Sequence, residues 1–541
     1  MNTYSPLAAS RFEDSPMNTL ASRFKRTGLF AFSALFIALA GCTVGLDYQQ
    51  PDNTLTATYQ NQTLLQQRVG DTPAPALDTW WTGFNDPQLT RIIQRVLAQN
   101  LDLAKSFARV EQARAVAQQA GAIRLPQGAL DARAVRQRQS TESSQGQVGS
   151  TFPGYDRNQT LETIGVGASW EADLAGGLKR GEEAAIDETQ AAEASHVGVR
   201  ISVAAEAADA YLRIRGAQQR LTVAEDQVKT QNNLLDLIND RMGSGLATHR
   251  EQAQAQALVL QARATIPPLR TELATQLNRL DVLMGAQPGT YSQELKNSPQ
   301  QYSVPTISDS EGPADLLRRR PDVIAAERKL AASNARIGAA VSEYYPKVSL
   351  SGLLGFDTAH SGQLFSSAAF QPQAIIGLHW RLFDFGRVDA EVAQAKGANA
   401  EALAEYRQVM LKATEDVENA IVTLVELELQ RGEVDQEVTA HQTARDAAQD
   451  AYKGGAISLV EVLDEDRQLL TSRDQLAQLH ANDARAAVAT FRALGGGWPQ
   501  AMKGETAKRL RPETARPGAM LRLHRSACAE GGGISSHIGF C

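Results

Sequence analysis

The chain is long, mildly acidic and poor in cysteine. It has 541 residues, a formal net charge of −7 and three cysteines. So few cysteines exclude a fold held together by disulfides, and an acidic chain without a basic stripe gives no reason to expect a nucleic-acid partner. The length alone favours about three or four globular domains. However, residues 178–285 and 388–495 are rich in Ala, Gln, Glu, Arg and Leu, which predicts long helices instead.

The N-terminus has the pattern of an export signal. Basic residues at 23–26 precede a short apolar run at 28–40, and small residues lead into Cys42. This pattern predicts a signal peptide over 1–41, too short to span a bilayer. Met17 is an alternative start, because it begins a repeat of the first three residues. No later apolar run approaches the length of about 20 residues that a membrane helix needs.

Cys42 is the candidate lipidation site. The small residues before it resemble a bacterial lipobox, in which the cysteine is lipidated and becomes the first mature residue. The residue after Cys42 is Thr43 and not an aspartate. In the lipoprotein-sorting pattern, this resembles a signal for export to the outer membrane. The alternative is an ordinary signal peptide with a chance cysteine. The lipidated N-terminal segment is predicted over 42–87.

Two similar units follow this segment. A repeat at fixed spacing predicts internal pseudo-symmetry, with a first unit at 88–285, a linker at 286–312 and a second unit at 313–498. The repeated pairs lie 210 residues apart and are Trp170 and Trp380, Gly245 and Gly455, Glu251 and Glu461, and Gly285 and Gly495.

Each unit is predicted to contain a helix, two strands and a long helical hairpin. Apolar residues recur at helical spacing from Leu89 towards Pro126, which ends the helix. Alternating apolar residues at 164–170 and 376–382 predict strands. The first unit is ten residues longer between its proline and its tryptophan, and we place the insertion in the polar loop at 140–158. Then about 60 helical residues, a glycine turn and about 40 more predict hairpins roughly 90–100 Å long.

The strands require an oligomer. Their length suits a tilted outer-membrane strand of about 9 to 11 residues, and polar residues such as His379 and Arg381 on one face suit a water-filled lumen. Four strands cannot close a barrel, which needs about eight, and open sheet edges are not viable in hydrocarbon. Several chains are therefore expected to share one barrel. The alternative is a periplasmic antiparallel sheet packed against a helix.

A series of short motifs extends over nearly all of residues 42–498. They are Cys42-Thr-Val-Gly-Leu-Asp-Tyr48, Trp80-Trp-Thr-Gly-Phe-Asn-Asp-Pro87, Asn100-Leu-Asp-Leu103, Arg319-Arg-Pro-Asp322, Ala335-Arg-Ile-Gly338, Tyr345-Pro346 and Leu494-Gly-Gly-Gly-Trp498. In order and spacing they resemble the TolC-like outer-membrane efflux protein family, and within it the NodT-type lipoproteins of tripartite resistance-nodulation-division (RND) systems.

This resemblance implies an α+β membrane protein that is a homotrimer. Three chains, each giving four strands, would form a 12-stranded transmembrane β-barrel continuous with a periplasmic 12-helix α-barrel. The implied location is the bacterial outer membrane, with a lipid anchor and outer-membrane lipid around the strands. The implied partners are a periplasmic adaptor (membrane fusion) protein and an inner-membrane pump of the RND type. The duct would passively conduct drugs or other small solutes.

The resemblance also implies a gate in the second hairpin. In the family, an aspartate in a Leu-Asp motif after the hairpin turn narrows the pore, and its position here is Asp464, with Glu461 and Val460 one helical turn before it. Threefold symmetry would gather these carboxylates into a constriction that attracts cations. The alternative is a solvated helix face that carries Glu461, Asp464 and Asp466. The first unit has Gln254 in place of Asp464, so the acidic ring is expected from one hairpin only.

The two turns that end the hairpins are the candidates for adaptor contact. Helical hairpins also need glycines at such turns for purely structural reasons. The residues selected are Arg241, Gly243, Gly245, Tyr452, Gly455 and Ser458.

No motif indicates an enzyme. The eight histidines are scattered without metal-ligand spacing, so no catalytic residue, metal or cofactor is expected. The tail at 499–541 is expected to be disordered, with a disulfide between Cys528 and Cys541 left open. Two other functions stay open: an outer-membrane duct for type I protein secretion, and a coiled-coil lipoprotein scaffold that transports nothing.

Overall fold

The computed structural model describes residues 43–52, 55–56, 58–67, 73–296, 302–307, 319–359 and 362–499. The predicted signal peptide, Cys42, Cys528, Cys541 and nearly all of the C-terminal tail lie outside these residues.

The first unit runs from short N-terminal helices to a long hairpin. Its elements are helix α1 (Gln62–Gln67), a 3₁₀ helix (Leu77–Phe84), α2 (Pro87–Gln99), α3 (Leu101–Ile123), strand β1 (Gln127–Arg138), α4 (Ser144–Ser150), β2 (Asn158–Ala172), α5 (Gly177–Gly243), α6 (His249–Leu283) and α7 (Ser292–Lys296). Helix α4 lies inside the 140–158 segment, for which we predicted only a loop.

The second unit has the same order of main elements. They are α8 (Pro321–Ser342), β3 (Lys347–Thr358), β4 (Phe370–His379), α9 (Arg387–Lys453) and α10 (Leu459–Ala493). Helices α5 and α9 each have 67 residues, and α6 and α10 each have 35. At 1.5 Å per residue the longer helices extend roughly 100 Å, so most of each hairpin projects far beyond any compact core.

The two units match in their hydrogen bonds as well as in their lengths. The Trp170 indole Nε1 donates to the Arg124 carbonyl at 2.9 Å, and the Trp380 Nε1 donates to the Tyr344 carbonyl at 3.0 Å. In each unit the tryptophan lies at the end of the second strand, and the acceptor lies just before the proline that precedes the first strand. The bond therefore joins the two strands of the pair at one end. The repeat is therefore structural as well as sequential.

The four strands form one antiparallel sheet in the order β1-β2-β3-β4. Strands β1 and β4 are its edges, and within the described residues neither pairs on its outer side. Large apolar side chains project from the sheet and are exposed, including Leu130, Leu354 and Ile376, the last at 79%. The sheet thus leaves both an apolar face and two edges uncovered.

The helices continue the sheet as a wall one layer thick. Near the strands, α5 packs between α3 and α8, and α8 also contacts α9. Further from the strands, α5 packs between α6 and α10, and α10 contacts α9. Within the described residues this wall also has two open edges, one along α3 and α6 and the other along α9, where only the short helix α1 packs. They lie on the same sides as the edges formed by β1 and β4.

The main core lies where the short N-terminal helices meet α5 and α10. Trp80, Trp81 and Phe84 are buried there, and Trp80 stacks on Phe491 with ring centroids 5.5 Å apart. The three aromatics pack in the core and hold the N-terminal segment against the wall.

None of the described helices is both long and apolar enough to cross a membrane.

Candidate functional site

Each hairpin turn is closed by local chemistry. Gly245 and Gly455 have φ of 72° and 79°, the left-handed region that glycine adopts most easily. The next amide then returns to the helix that has just ended, from Leu246 to the Arg241 carbonyl at 2.7 Å and from Ala456 to the Ala451 carbonyl at 2.9 Å. These bonds satisfy the last carbonyls of the helix, so the glycines are needed for the turn itself.

Glu461 and Glu251 form part of the helix caps. The Glu461 Oε1 accepts from the Ser458 amide at 3.2 Å and from the Ser458 hydroxyl at 3.0 Å. Glu251 does the same for Thr248, and these hydrogen bonds lower the pKa of the Glu251 carboxyl. The repeat of this glutamate in both units therefore has a local cause, the capping box. The Ser-x-x-Glu and Thr-x-x-Glu spacing in the sequence could have revealed it.

Asp464 lies exposed on the face of α10 that also carries Val460. The Val460 side chain is 47% exposed, and the Asp464 Oδ1 accepts from the Arg467 guanidinium at 2.7 Å. The negative charge of Asp464 is therefore partly balanced by a cation one turn further along the same face. Both partners are more than half exposed, so their attraction is weak in water.

Asp466 does not belong to this face. It is 3% exposed, and its Oδ1 accepts from the Arg445 Nε at 2.9 Å, which joins α10 to α9. The view of Glu461, Asp464 and Asp466 as one solvated face is therefore wrong for Asp466, because a turn of 200° separates it from Asp464. In the first unit the amide oxygen of Gln254 is buried without a hydrogen bond in the structure, so this position exposes no carboxylate.

Arg241 and Tyr452 join the two hairpins near their ends. The Arg241 guanidinium lies over the Tyr452 ring at 4.5 Å, and its Nη1 donates to the Tyr452 carbonyl at 3.4 Å. Tyr452 is 5% exposed and packs with Leu459 and Val462 in a small apolar cluster. The Tyr452 side chain therefore makes its contacts within the chain. Gly243, Gly245, Gly455 and Ser458, by contrast, are exposed.

A second notable site lies at the other end of the wall, beside the sheet. Arg180 is 3% exposed, and its guanidinium donates to the Val44 and Gly45 carbonyls at 3.2 and 3.1 Å and to the Asp47 carboxylate at 2.8 Å. The Val44 amide donates to Ala175, just after β2. The chain directly after Cys42 is therefore fixed where sheet and helices meet. No local motif in the sequence indicated Arg180.

Asp187 lies about two helical turns beyond Arg180, on nearly the same face of α5, in the contact between α5 and α8. Burial raises its pKa to about 6, although the Arg328 guanidinium at 3.6 Å opposes the shift, and Glu183 and Glu327 increase it. A carboxyl whose pKa is raised by folding holds its proton more tightly in the native state. The native state therefore loses stability as the pH rises from about 4 to about 6.

Within the described residues, no group of three or more His, Cys, Asp or Glu side chains is placed to hold a metal ion. What the geometry provides is a sheet with an exposed apolar face, a wall of long helices and two capped turns at the far end. This is the architecture of an outer-membrane channel protein, built as one segment of a duct wall.

The chain belongs to the outer membrane efflux protein family, whose model matches residues 92–286 and 312–496. It is 32% identical over 422 residues to the pyoverdine export outer membrane protein OpmQ of Pseudomonas putida, covering 77% of this chain and 88% of that protein. It is 28% identical to nodulation protein T of Rhizobium leguminosarum bv. trifolii, covering 88% and 98%. The structure of the outer-membrane channel OprN superposes with a TM-score of 0.75 at 31% identity, covering 84% of this chain and all of that one.

These similarities confirm the family and the NodT-type resemblance predicted from the motifs. The chain is accordingly the outer-membrane component of a tripartite efflux system, with its strands at the outer membrane and its helices in the periplasm. The family consists of channels rather than enzymes.

Replacing Glu461 by alanine should weaken the start of α10. The variant loses the two bonds that the Glu461 carboxylate accepts from Ser458 and the negative charge at the start of the helix, which is expected to cost about 0.3–1 kcal/mol of local stability. Hydrogen exchange of the amides at 459–463 should accelerate correspondingly. Asp464→Ala is the matched control, because its carboxylate caps nothing, and equal acceleration in both variants would contradict the capping role.

Replacing Asp187 by asparagine should stabilise the folded chain at neutral pH. The substitution removes a carboxylate that burial disfavours, so the free energy of unfolding at pH 7.5 should rise by up to about 3 kcal/mol. At pH 4 the two proteins should differ little, because Asp187 is then protonated in the native state. Melting temperatures from circular dichroism between pH 4 and pH 8 measure this, and a parallel pH dependence in both proteins would refute it.

Proposed function

We propose that three copies of this chain close into one continuous duct that passively conducts drugs or other small solutes out of the cell. The observation that carries the proposal is that strands β1 and β4 are both open edges of a sheet whose exposed face is apolar. An unpaired edge is not viable in hydrocarbon, so β4 of one copy must pair with β1 of the next. The number three comes from the family resemblance and gives a 12-stranded barrel.

The helical wall supports the same closure. Its open edges along α3 and α6 and along α9 continue the open edges of the sheet, so the copies that pair their strands also bring these helices together. Four helices across the wall at each level, from each of three chains, give a 12-helix tunnel. Its length of roughly 100 Å is suited to crossing much of the periplasm.

The relatives support a conduit whose cargo is chosen by another protein. One relative is named for pyoverdine export, another for toluene efflux and another for cation efflux. These cargoes differ in size and charge although the chains share one architecture, which supports selection by the inner-membrane pump. For this chain we propose a pump of the RND type and a periplasmic adaptor that contacts the exposed tip residues Gly243, Gly245, Gly455 and Ser458. Arg241 and Tyr452 support this surface from behind.

The gate is proposed at Asp464 and Val460. In a trimer, three exposed carboxylates and three valines would lie around one axis at the periplasmic end, where they narrow the duct and attract cations. Glu461 lies beside them, but its carboxylate is already bound to Ser458. Its contribution to the gate is therefore to fix the start of the helix that carries Asp464.

The lipid anchor is proposed at Cys42. Arg180 holds residues 44–47 beside the end of β2, so a lipidated cysteine two residues earlier would lie at the membrane surface. Acyl chains attached there could enter the inner leaflet without moving the helical wall.

The purified protein should conduct ions in planar bilayers, with selectivity set by the α10 face. Asp464→Asn should lower the cation-to-anion permeability ratio by about twofold or more, and Arg467→Gln should raise it, because the two charges oppose each other at one constriction. Glu433→Gln, an exposed carboxylate far from the tips, is the control. Bilayers that stay silent for the wild type and for a Glu461→Gln, Asp464→Asn double variant would exclude the duct.

Replacing Cys42 by serine should abolish incorporation of an alkyne-labelled fatty acid. The unlipidated chain should also reach the outer membrane at lower yield, by about tenfold if acylation supplies most of its first attachment. Cys528→Ser is the matched control and should label fully. Undiminished labelling of Cys42→Ser would remove Cys42 as the anchor.

A further inference from the structure

A recess of about 830 Å³ opens in the helical wall near the starts of α3 and α8. Its lining comes from α3, α5, α8, α9 and α10, and its volume lies in the range of sites that hold drug-sized molecules. We propose that this recess faces the lumen of the duct and binds organic anions that carry an apolar body. The inference rests on the proposed duct and adds a cargo site to it.

The N-terminal layer, formed by the 3₁₀ helix and α2, covers one face of the wall, and the recess lies on the other. On α10, Ala489 lines the recess, whereas Phe491 stacks on Trp80 of the N-terminal layer. Two residues turn an α-helix by 200°, so these two side chains point to opposite faces. On α5, Ser202 lines the recess, and Tyr211, nine residues and a net half turn further on, donates its hydroxyl to the N-terminal layer at 2.5 Å.

The size of the duct decides which face of the wall is the lumen. Twelve helices spaced about 10 Å apart form a ring about 38 Å across, which leaves a bore of about 28 Å inside it. Three N-terminal layers, each one helix or about 10 Å thick, would nearly fill this bore. The layers therefore lie outside the duct, which places the three recesses of the trimer on the lumen.

The proposed gate lies on the same face of α10 as the recess. Asp464 and Ala489 are 25 residues apart on this helix, which is close to seven whole turns, so both point to one side. At 1.5 Å per residue the recess lies roughly 38 Å inside the constriction. A solute that has passed the gate would therefore reach the recess by travelling along this face.

Most of the acids that line the recess are already paired. The lining holds four bases and four acids. The Arg320 guanidinium binds the Asp322 carboxylate at 2.7 Å and the Asp416 carboxylate at 2.9 Å. The Glu206 carboxylate binds the Arg279 guanidinium at 2.6 Å. Three of the four acids therefore already have a cation beside them.

The other charges of the lining are three cations and one acid. They are Lys105, Arg109, Arg492 and Asp102, all of them exposed, and among the described residues none has an ion-pair partner. Helix α8 also begins at the recess, and no described side chain caps its first amides, so its positive end adds to the same field. An anion in the recess would therefore gain charge partners that the wall itself does not supply.

The recess also has an apolar part. Val199, Ala420 and Ala489 are buried or half-buried in its lining, beside the exposed cations. The apolar body of a ligand would remove these side chains from water, a gain that is not open to a small inorganic anion. An organic cation would instead meet three like charges. The chemistry of the lining thus favours an organic anion.

Two dyes of similar shape test the charge preference. Fluorescein is an organic anion, and rhodamine 123 is a cation with the same three-ring core. With the full-length protein in phosphatidylcholine nanodiscs, fluorescence anisotropy should show that fluorescein binds and that rhodamine 123 binds at least about tenfold more weakly. A Lys105→Gln, Arg109→Gln, Arg492→Gln variant should bind fluorescein about tenfold more weakly than the wild type, because three favourable charge contacts are lost.

An Arg91→Gln, Lys229→Gln, Arg250→Gln variant is the matched control. It removes the same numbers of arginines and lysines from exposed positions outside the recess, so it should bind fluorescein as the wild type does. Equal weakening in both triple variants would reveal a general effect of net charge and overturn the site. Equal binding of the two dyes, or no binding of fluorescein, would overturn it as well.

Single-channel recording in planar bilayers tests whether the site lies in the lumen. Fluorescein added on the side of the strands should briefly and partly block the current through the wild type, and the variant that lacks the three recess cations should not show these blocks. An open wild-type channel without blocks would overturn a site in the lumen and leave the duct intact. A wild type that conducts no current would overturn the duct and the placement of the site together.

Discussion

A main-chain N–H or C=O group without a hydrogen-bond partner in hydrocarbon costs on the order of several kcal/mol, and the rest of this structure depends on that constraint. Within the described residues the inner strands β2 and β3 each pair with two neighbours, whereas β1 and β4 are unpaired on their outer sides. The chain therefore cannot be complete as a membrane protein on its own. Every other feature of the wall is compatible with copies that meet along these edges.

The helical part meets a different requirement, because water can satisfy its exposed groups. Its long helices do not need a large core, and the buried stripes of α5 and α10 consist mainly of alanine, valine and leucine. Small side chains allow the helices to approach closely in a layer only one helix thick. Larger aromatic residues are concentrated where the N-terminal helices cover this layer, around Trp80 and Phe491.

The parts of the fold that could be predicted from the sequence are those marked by periodic apolar residues, or by glycine and proline at the ends of helices. Strand alternation, hairpin length and the repeat follow from spacing alone, so the elements of both units were predicted in the right order. Contacts between single side chains and residues far away in the sequence have no such pattern. Arg180 binds main-chain carbonyls more than a hundred residues earlier, and no property of its neighbours in the sequence signals that partner.

The candidate gate shows a related limit: residues that are close together in the sequence have different roles in the structure. Glu461 was predicted to belong to the gate because it lies one helical turn before Asp464, yet its carboxylate caps the helix, as does that of its repeat Glu251. Asp466 belonged to the same acidic cluster in the sequence and is buried against Arg445 in the structure. Spacing places residues on a helix, but only the neighbouring helix decides which of them face solvent.

The capped turns have a consequence for how such a chain can diverge. Each turn is closed by its own glycine, its returning amide and its capping box, and none of these bonds uses the exposed side chains of Leu246 and Lys453, which form part of the surface of the turns. Substitutions on that surface can therefore accumulate without altering the helices behind it. A duct of this kind can acquire a new periplasmic partner by changing a few residues at each tip, while the rest of its wall is inherited unchanged.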